Sequence, residues 1–229
     1  MNLFEDFFAL IFPDLCASCG NSLWKYEEII CTRCDFHLPR TGFHLDPDNP
    51  VSQLFTGRIR PENATACFYF NKGSHIQRLI HLLKYKGRKD IGNFLGRQYG
   101  ICLRTEPAYS SVSLIIPVPL HPKKFLQRGY NQSEEFAKGL SASFGIPLDT
   151  SSVKRCKATE TQTRKSRFNR WENVMEIFVV ENAETLRNKH VLLVDDVITT
   201  GATLESCYST LQNVPGIRIS IAAIAVALR

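Results

Sequence analysis

Long apolar runs are missing from this sequence. No stretch reaches the roughly 18 consecutive apolar residues that a membrane-crossing helix needs, so no membrane span is expected. A secretory leader is missing as well. Residues 1–12 are apolar, but they carry Glu5 and Asp6, lack a cationic start, and run straight into Pro13 and a CxxC pair. Without a leader, the eight cysteines do not read as a secreted disulfide scaffold, and a cytoplasmic, mostly reduced chain is expected. Two nucleotide-binding fingerprints are also absent, the Gly-x-Gly-x-x-Gly turn and the Gly-Lys-Ser/Thr loop, and there is no internal repeat or low-complexity tract.

What is present is enough apolar mass for a real core. The 229 residues are 44% hydrophobic and 22% charged, which fits one full domain with a small appendage or two small domains. The formal net charge of +6 leans toward polyanionic partners or phosphorylated ligands, though a Lys excess also makes an ordinary solvated face. Residues 3–12 have helical spacing (Phe4, Phe7, Phe8, Ile11), giving an amphipathic arm for the protein's own surface or for a membrane surface. Residues 41–63, rich in Pro, Asp, Asn and Gly, read as a linker or irregular cover. Strands are expected at 64–70, 112–118, 191–194 and 217–228. Helices are expected around 76–83, 91–99, 129–144 and 202–211, and a long loop at 154–173. Strands apolar on both faces and alternating with helices predict an α/β fold with a mainly parallel sheet flanked by helices.

The segment Val-Leu-Leu-Val-Asp-Asp-Val-Ile-Thr-Thr-Gly-Ala-Thr-Leu at 191–204 carries the most chemistry. An apolar strand leads into Asp195 and Asp196, then a short loop of Thr199, Thr200, Gly201, Ala202 and Thr203, then a helix. Open α/β sheets bind ligands at the carboxyl ends of their strands. N–H groups at a helix start suit a phosphate, and Gly201 permits close approach. Carboxylates suit sugar hydroxyls instead, so the combination asks for a phosphorylated sugar. The bland alternative is that Asp195 merely caps a turn.

A second strand end is followed by Pro117, Val118 and Pro119, then by Lys123, Lys124 and Arg128. Prolines stiffen the strand exit, and the cations could hold a diphosphate, Arg128 through paired contacts. Near the start of the chain, Cys16-x-x-Cys19 and Cys31-x-x-Cys34 stand eleven residues apart. Two such knuckles, brought together by an expected strand pair, fit one closed structural zinc ion (Zn2+), the alternative being two independent thiol pairs.

The 191–204 segment resembles the type I phosphoribosyltransferases closely. The 116–132 segment, with its Pro-Val-Pro exit and Arg-Gly-Tyr-Asn-Gln, is similar more specifically to the ComF family of amidophosphoribosyltransferase-like competence proteins, as is Lys84-Tyr-x-Gly87. The resemblance implies a type I phosphoribosyltransferase-like core over 64–229 and a zinc-ribbon-like module over 13–40. It implies a 5-phosphoribosyl diphosphate site with magnesium (Mg2+): the 5-phosphate on loop 199–203, the ribose on Asp195 and Asp196, and the diphosphate on Val118, Pro119, Lys123, Lys124, Arg128, Gly129, Asn131 and Gln132. It also implies a flexible loop carrying Thr159, Gln162, Arg167, Arg170 and Asn173, although Thr163 stands where the family often has an apolar residue.

If the site turns over, phosphoribosyl transfer to a nitrogen nucleophile is expected. Asp195 and Asp196 would fix the ribose, Lys123 and Arg128 would stabilise the leaving diphosphate, and the loop would close over them. No segment identifies the acceptor. The resemblance further implies a role in bacterial DNA uptake, with incoming single-stranded DNA or its processing machinery as partner. Two stretches rich in Lys and Arg, 72–104 and 154–170, could track such a strand, with Tyr85, Phe168 or Trp171 stacking on bases, or could be solvated faces. The competing reading is a non-catalytic nucleic-acid-binding or adaptor protein built on a vestigial core.

Overall fold

The computed structural model describes residues 13–157 and 176–228; the amphipathic arm and the loop positions Gln162, Arg167, Arg170 and Asn173 lie outside them. The frame is a four-stranded parallel sheet. Strands β1 (Ala64–Tyr69), β2 (Leu114–Pro117), β5 (His190–Ile198) and β6 (Arg218–Val226) lie in the order β1-β6-β5-β2. Register pairs such as Ala66↔Ala223, Val194↔Ala222 and Ile116↔Leu193 run through it. The central strands are buried on both faces, and consecutive residues divide between them. Leu192 and Val194 pack on one side, Val191 and Leu193 on the other. The expectation of an α/β core with a helix-flanked parallel sheet is met.

Against the first face lie three helices. Helix α3 (His75–Tyr85) follows α1 (Thr32–Phe36) and α2 (Pro50–Leu54) in the chain; its N-cap Ser74 accepts from the Gln77 N–H, and it buries Ile76, Leu79, Ile80 and Leu83. Helices α4 (Lys89–Thr105) and α6 (Gln132–Phe144) cross with their backbones almost touching. A Cβ added at Gly96 would sit 2.1 Å from the Phe136 carbonyl oxygen, and one at Gly139 2.1 Å from that of Asn93. The other face is covered by α2 and by α8 (Ala202–Leu211), with the four-residue α7 (Ala183–Leu186) nearby.

The irregular stretch 41–63 is pinned to the sheet. Buried Asn49 caps α2, its Oδ1 accepting from the Val51 and Ser52 N–H groups, while its Nδ2 donates to the carbonyls of Phe43, Asp46 and Ala64. Val51 and Phe55 are wholly buried.

Four element expectations need correction. Strand β5 runs on through the acid pair to Ile198, because its ladder with β6 continues at Asp195↔Ala223 and Val197↔Ala225 whatever the side chains. Residues 154–157 are not loop but part of β3 (Val153–Lys157), paired antiparallel with β4 (Glu176–Val180); the polar composition of β3 hides its strand period. The helix expected from 129 begins at Gln132 behind its N-cap Asn131, after a separate α5 (Pro122–Arg128) that Pro122 starts. The cysteine knuckles are not joined by a strand pair: among the described residues the bridge Leu15↔Ser22 flanks the first pair alone, and Cys34 sits on α1.

Candidate functional site

Asp195 and Asp196 lie near the carboxyl end of β5, half-buried. Asp195 Oδ1 accepts from the Ser133 hydroxyl at 2.9 Å and from the Asp196 N–H at 2.8 Å. Burial above all, and the adjacent Asp196 charge, raise the Asp195 carboxyl to about 7, against the pull of the Asp196 N–H, Ser133 and Lys84. Asp196 pairs with the Lys84 ammonium at 3.0 Å, from the last turn of α3. The guanidinium of Arg155, on β3, also acts on Asp195 electrostatically; it donates to the Pro119 carbonyl and lies 5.2 Å over the Phe178 ring.

Beyond β5 the chain turns through Thr199, Thr200 and Gly201 into α8, whose first residues are Ala202 and Thr203. Thr199 and Thr200 are exposed. Gly201 takes φ +75°, and a Cβ there would stand 2.7 Å from the Phe55 ring, so both conformation and room demand glycine. The Thr200 hydroxyl accepts from the Ala202 N–H at 3.4 Å. Arg58 clamps this turn from the 41–63 cover, donating to the Thr200 carbonyl at 2.9 Å and pairing with Glu205 on α8. The loop therefore offers hydroxyls and helix-start N–H groups beside two carboxylates.

The segment after β2 is partly drawn toward these acids. The Val118 N–H donates to the Val194 carbonyl, and Asn131 Nδ2 donates back to the Val118 carbonyl, holding the Pro119 exit. Arg128 Nη1 donates to Gln132 Oε1 at 2.7 Å, and its guanidinium lies 5.3 Å over the Tyr85 ring. Gln132 is fully buried. Gly129 turns the chain between α5 and Tyr130, whose hydroxyl donates to the Leu83 carbonyl. Lys123 and Lys124, by contrast, are exposed on α5 and reach none of the acids. Ser133, Lys84, Arg58 and Arg155 are the site neighbours that sequence reasoning missed. Lys84 had a local signal in the Lys84-Tyr-x-Gly87 segment, and Arg155 in the basic stretch 154–170.

The four cysteines come together. The sulfurs of Cys16, Cys19, Cys31 and Cys34 all lie within 4.8 Å of one another. Cys19 and Cys31 sulfurs are 3.8 Å apart, the edge of a tetrahedron with metal–sulfur bonds of about 2.3 Å. Burial would raise Cys16, but the N–H groups of Cys19, Cys31 and Ser18 outweigh it and bring the thiol down to about 6. Burial pushes Cys34 up to about 12, so a ligand set of four thiolates needs a cation among them. The cluster is compatible with a structural metal site. No helix among the described residues is long and apolar enough to cross a membrane.

The family model for the phosphoribosyl transferase domain matches residues 131–227. The chain is 28% identical over 195 residues to the DNA utilization protein YhgH of Escherichia coli K12, covering 83% of this chain and 80% of that one. It is 34% identical over 138 residues to competence protein F of Haemophilus influenzae, covering 58% and 60%. Among solved structures, a purine phosphoribosyltransferase from Pyrococcus horikoshii aligns over 58% of this chain and 75% of its own, 20% identical, with a TM-score of 0.38.

Proposed function

Because this chain belongs to the ComF family of competence proteins, within the type I phosphoribosyltransferase superfamily, we propose that the carboxyl end of its sheet binds 5-phosphoribosyl diphosphate. The carrying observation is the juxtaposition of Asp195 and Asp196 with the Gly201 turn and the start of α8. In this reading the acids accept hydrogen bonds from the ribose hydroxyls, and the loop 199–203 receives the 5-phosphate. Arg128 and Gly129 face the diphosphate, buried Asn131 and Gln132 hold that turn in place, and Val118 and Pro119 shape the approach. Magnesium, a hard cation, would be held through the oxygens of the donor beside Asp195 and Asp196 and would offset the diphosphate charge. Where an acceptor nitrogen is supplied, it takes the ribose carbon as diphosphate leaves.

The cysteine cluster holds zinc in a purely structural role, since four protein ligands leave no open position. In the same reading the protein works on the cytoplasmic side of DNA uptake, beside single-stranded DNA or its processing machinery; its similarity to a competence protein and a DNA utilization protein supports this.

Calorimetry with 5-phosphoribosyl diphosphate and magnesium tests the donor site. Charge-assisted hydrogen bonds are worth about 1.5–3 kcal/mol each. Replacing both acids (Asp195→Asn with Asp196→Asn) should therefore weaken binding by at least about tenfold, with the fold intact by thermal unfolding. Equal affinity in the two folded proteins sinks the role of the acids. Binding by neither turns the reading toward a vestigial adaptor core.

A further inference from the structure

The corner where α3 ends touches the donor-site elements repeatedly. Lys84 Nζ lies 3.0 Å from Asp196 Oδ2, with side chains only 21% and 15% exposed. The next residue, Tyr85, presents its ring to Arg128. Just before it, the Leu83 carbonyl accepts from Tyr130, and Lys89 stands 4.9 Å over the Tyr130 ring. Residues 83–89 thus bridge the acid pair on β5 and the segment that follows α5. Lys123 and Lys124, on α5 itself, are exposed. Within residues 83–89, the cation paired with the acids is Lys84.

An ammonium has three N–H groups, and its ion pair with Asp196 uses one acceptor oxygen. A largely enclosed ammonium gains from every further anionic acceptor it meets, because so little water is left to solvate it. A diphosphate entering between Asp196 and Arg128 would bring such oxygens. We propose that Lys84 is a donor-binding residue: it holds Asp196 in the ligand-free site and turns its remaining N–H groups to the diphosphate of bound 5-phosphoribosyl diphosphate. This rests on the donor-site reading above and adds to it a cation from outside the two strand-end segments.

The test separates direct contact from support of Asp196. Wild type, Lys84→Met and Lys84→Arg are titrated calorimetrically with magnesium pyrophosphate, with ribose 5-phosphate, and with the complete donor plus magnesium. Direct contact predicts that Lys84→Met loses at least about tenfold in affinity for pyrophosphate and donor, about 1.4 kcal/mol, while ribose 5-phosphate shifts by less than about threefold. Lys84→Arg, which keeps the charge, recovers part of that loss. The same loss for all three ligands means that Lys84 only positions Asp196, and overturns the proposal; so does no loss at all. A wild type that binds none of the three removes the donor-site reading itself, a failure distinct from the failure of Lys84 alone. Amine acetylation of wild type gives a readout independent of variant folding. Pyrophosphate should slow modification of Lys84 where ribose 5-phosphate does not, and equal rates with both would overturn the contact.

Discussion

Asp195 holds its proton more tightly in the fold than in the unfolded chain, chiefly because it is buried and secondly because Asp196 is its neighbour. A carboxyl raised in this way favours folding fully below its unfolded pKa, near 4, and that contribution is lost as pH rises toward about 7. Asp195→Asn should then unfold at a higher temperature than wild type at pH 8, with the gap closing as the pH falls to about 4. Thermal unfolding of both ligand-free proteins across that range checks it, and a gap that does not change with pH would count against the buried charge. The acids and Gly201 were legible in the sequence because they share one short segment. Their partners were not. Ser133 reaches Asp195 from 62 positions away and Arg58 reaches Thr200 from 142, so only the folded backbone reveals those pairings.

Among the elements, the crossing of α4 and α6 is the contact most sensitive to a single atom. Exposed helix positions gain up to about 1 kcal/mol when glycine becomes alanine. Here the added carbon meets a carbonyl oxygen of the opposite backbone at 2.1 Å, and backbone cannot swing aside as a side chain can. Gly96→Ala and Gly139→Ala are each expected to destabilise the protein by about 2 kcal/mol or more, in the upper range of overpacking. Urea denaturation should show a lowered midpoint at unchanged slope. A stabilised variant would mean the helices stand further apart. Helix α8 and the interiors of α3 and α4 were readable from their apolar period, since one face of each is buried. Strand β3 was not, because Lys154, Arg155 and Lys157 alternate no apolar face. The run of β5 through two acids was equally hidden, being settled by the ladder with β6.

For the whole molecule, the cysteine cluster is continuous with the main core. Cys16, Ala17, Ile30, Cys31, Cys34 and Leu38 pack in the same buried cluster as Phe68, Leu79 and Leu83. The Ser18 hydroxyl lies 2.6 Å from His75 Nδ1 at the start of α3, and Arg97 on α4 pairs with Glu28. Freshly purified protein should carry one zinc per chain. Stripping it with a chelator, or replacing Cys31 by Ser, should lower one shared unfolding transition, because structural zinc contributes about 10–16 kcal/mol of apparent binding energy against a whole-domain stability of about 5–15. Calorimetry resolving two separate transitions would show instead a module that melts alone. The CxxC spacing made the ligands legible, but nothing in it told how the module would seat.

The sheet order has a consequence for how the protein is made. Strand β6 follows every other described strand, yet it lies between β1 and β5. Until residue 226 has left the ribosome, β1 has no partner in the sheet, and β5 shows an open edge along the side that β6 will fill. An interrupted chain would carry two unsealed, apolar strand edges, the kind that recruit chaperones, proteases or one another. A product cut short before β6 is therefore expected to clump and not to persist as a half-working domain.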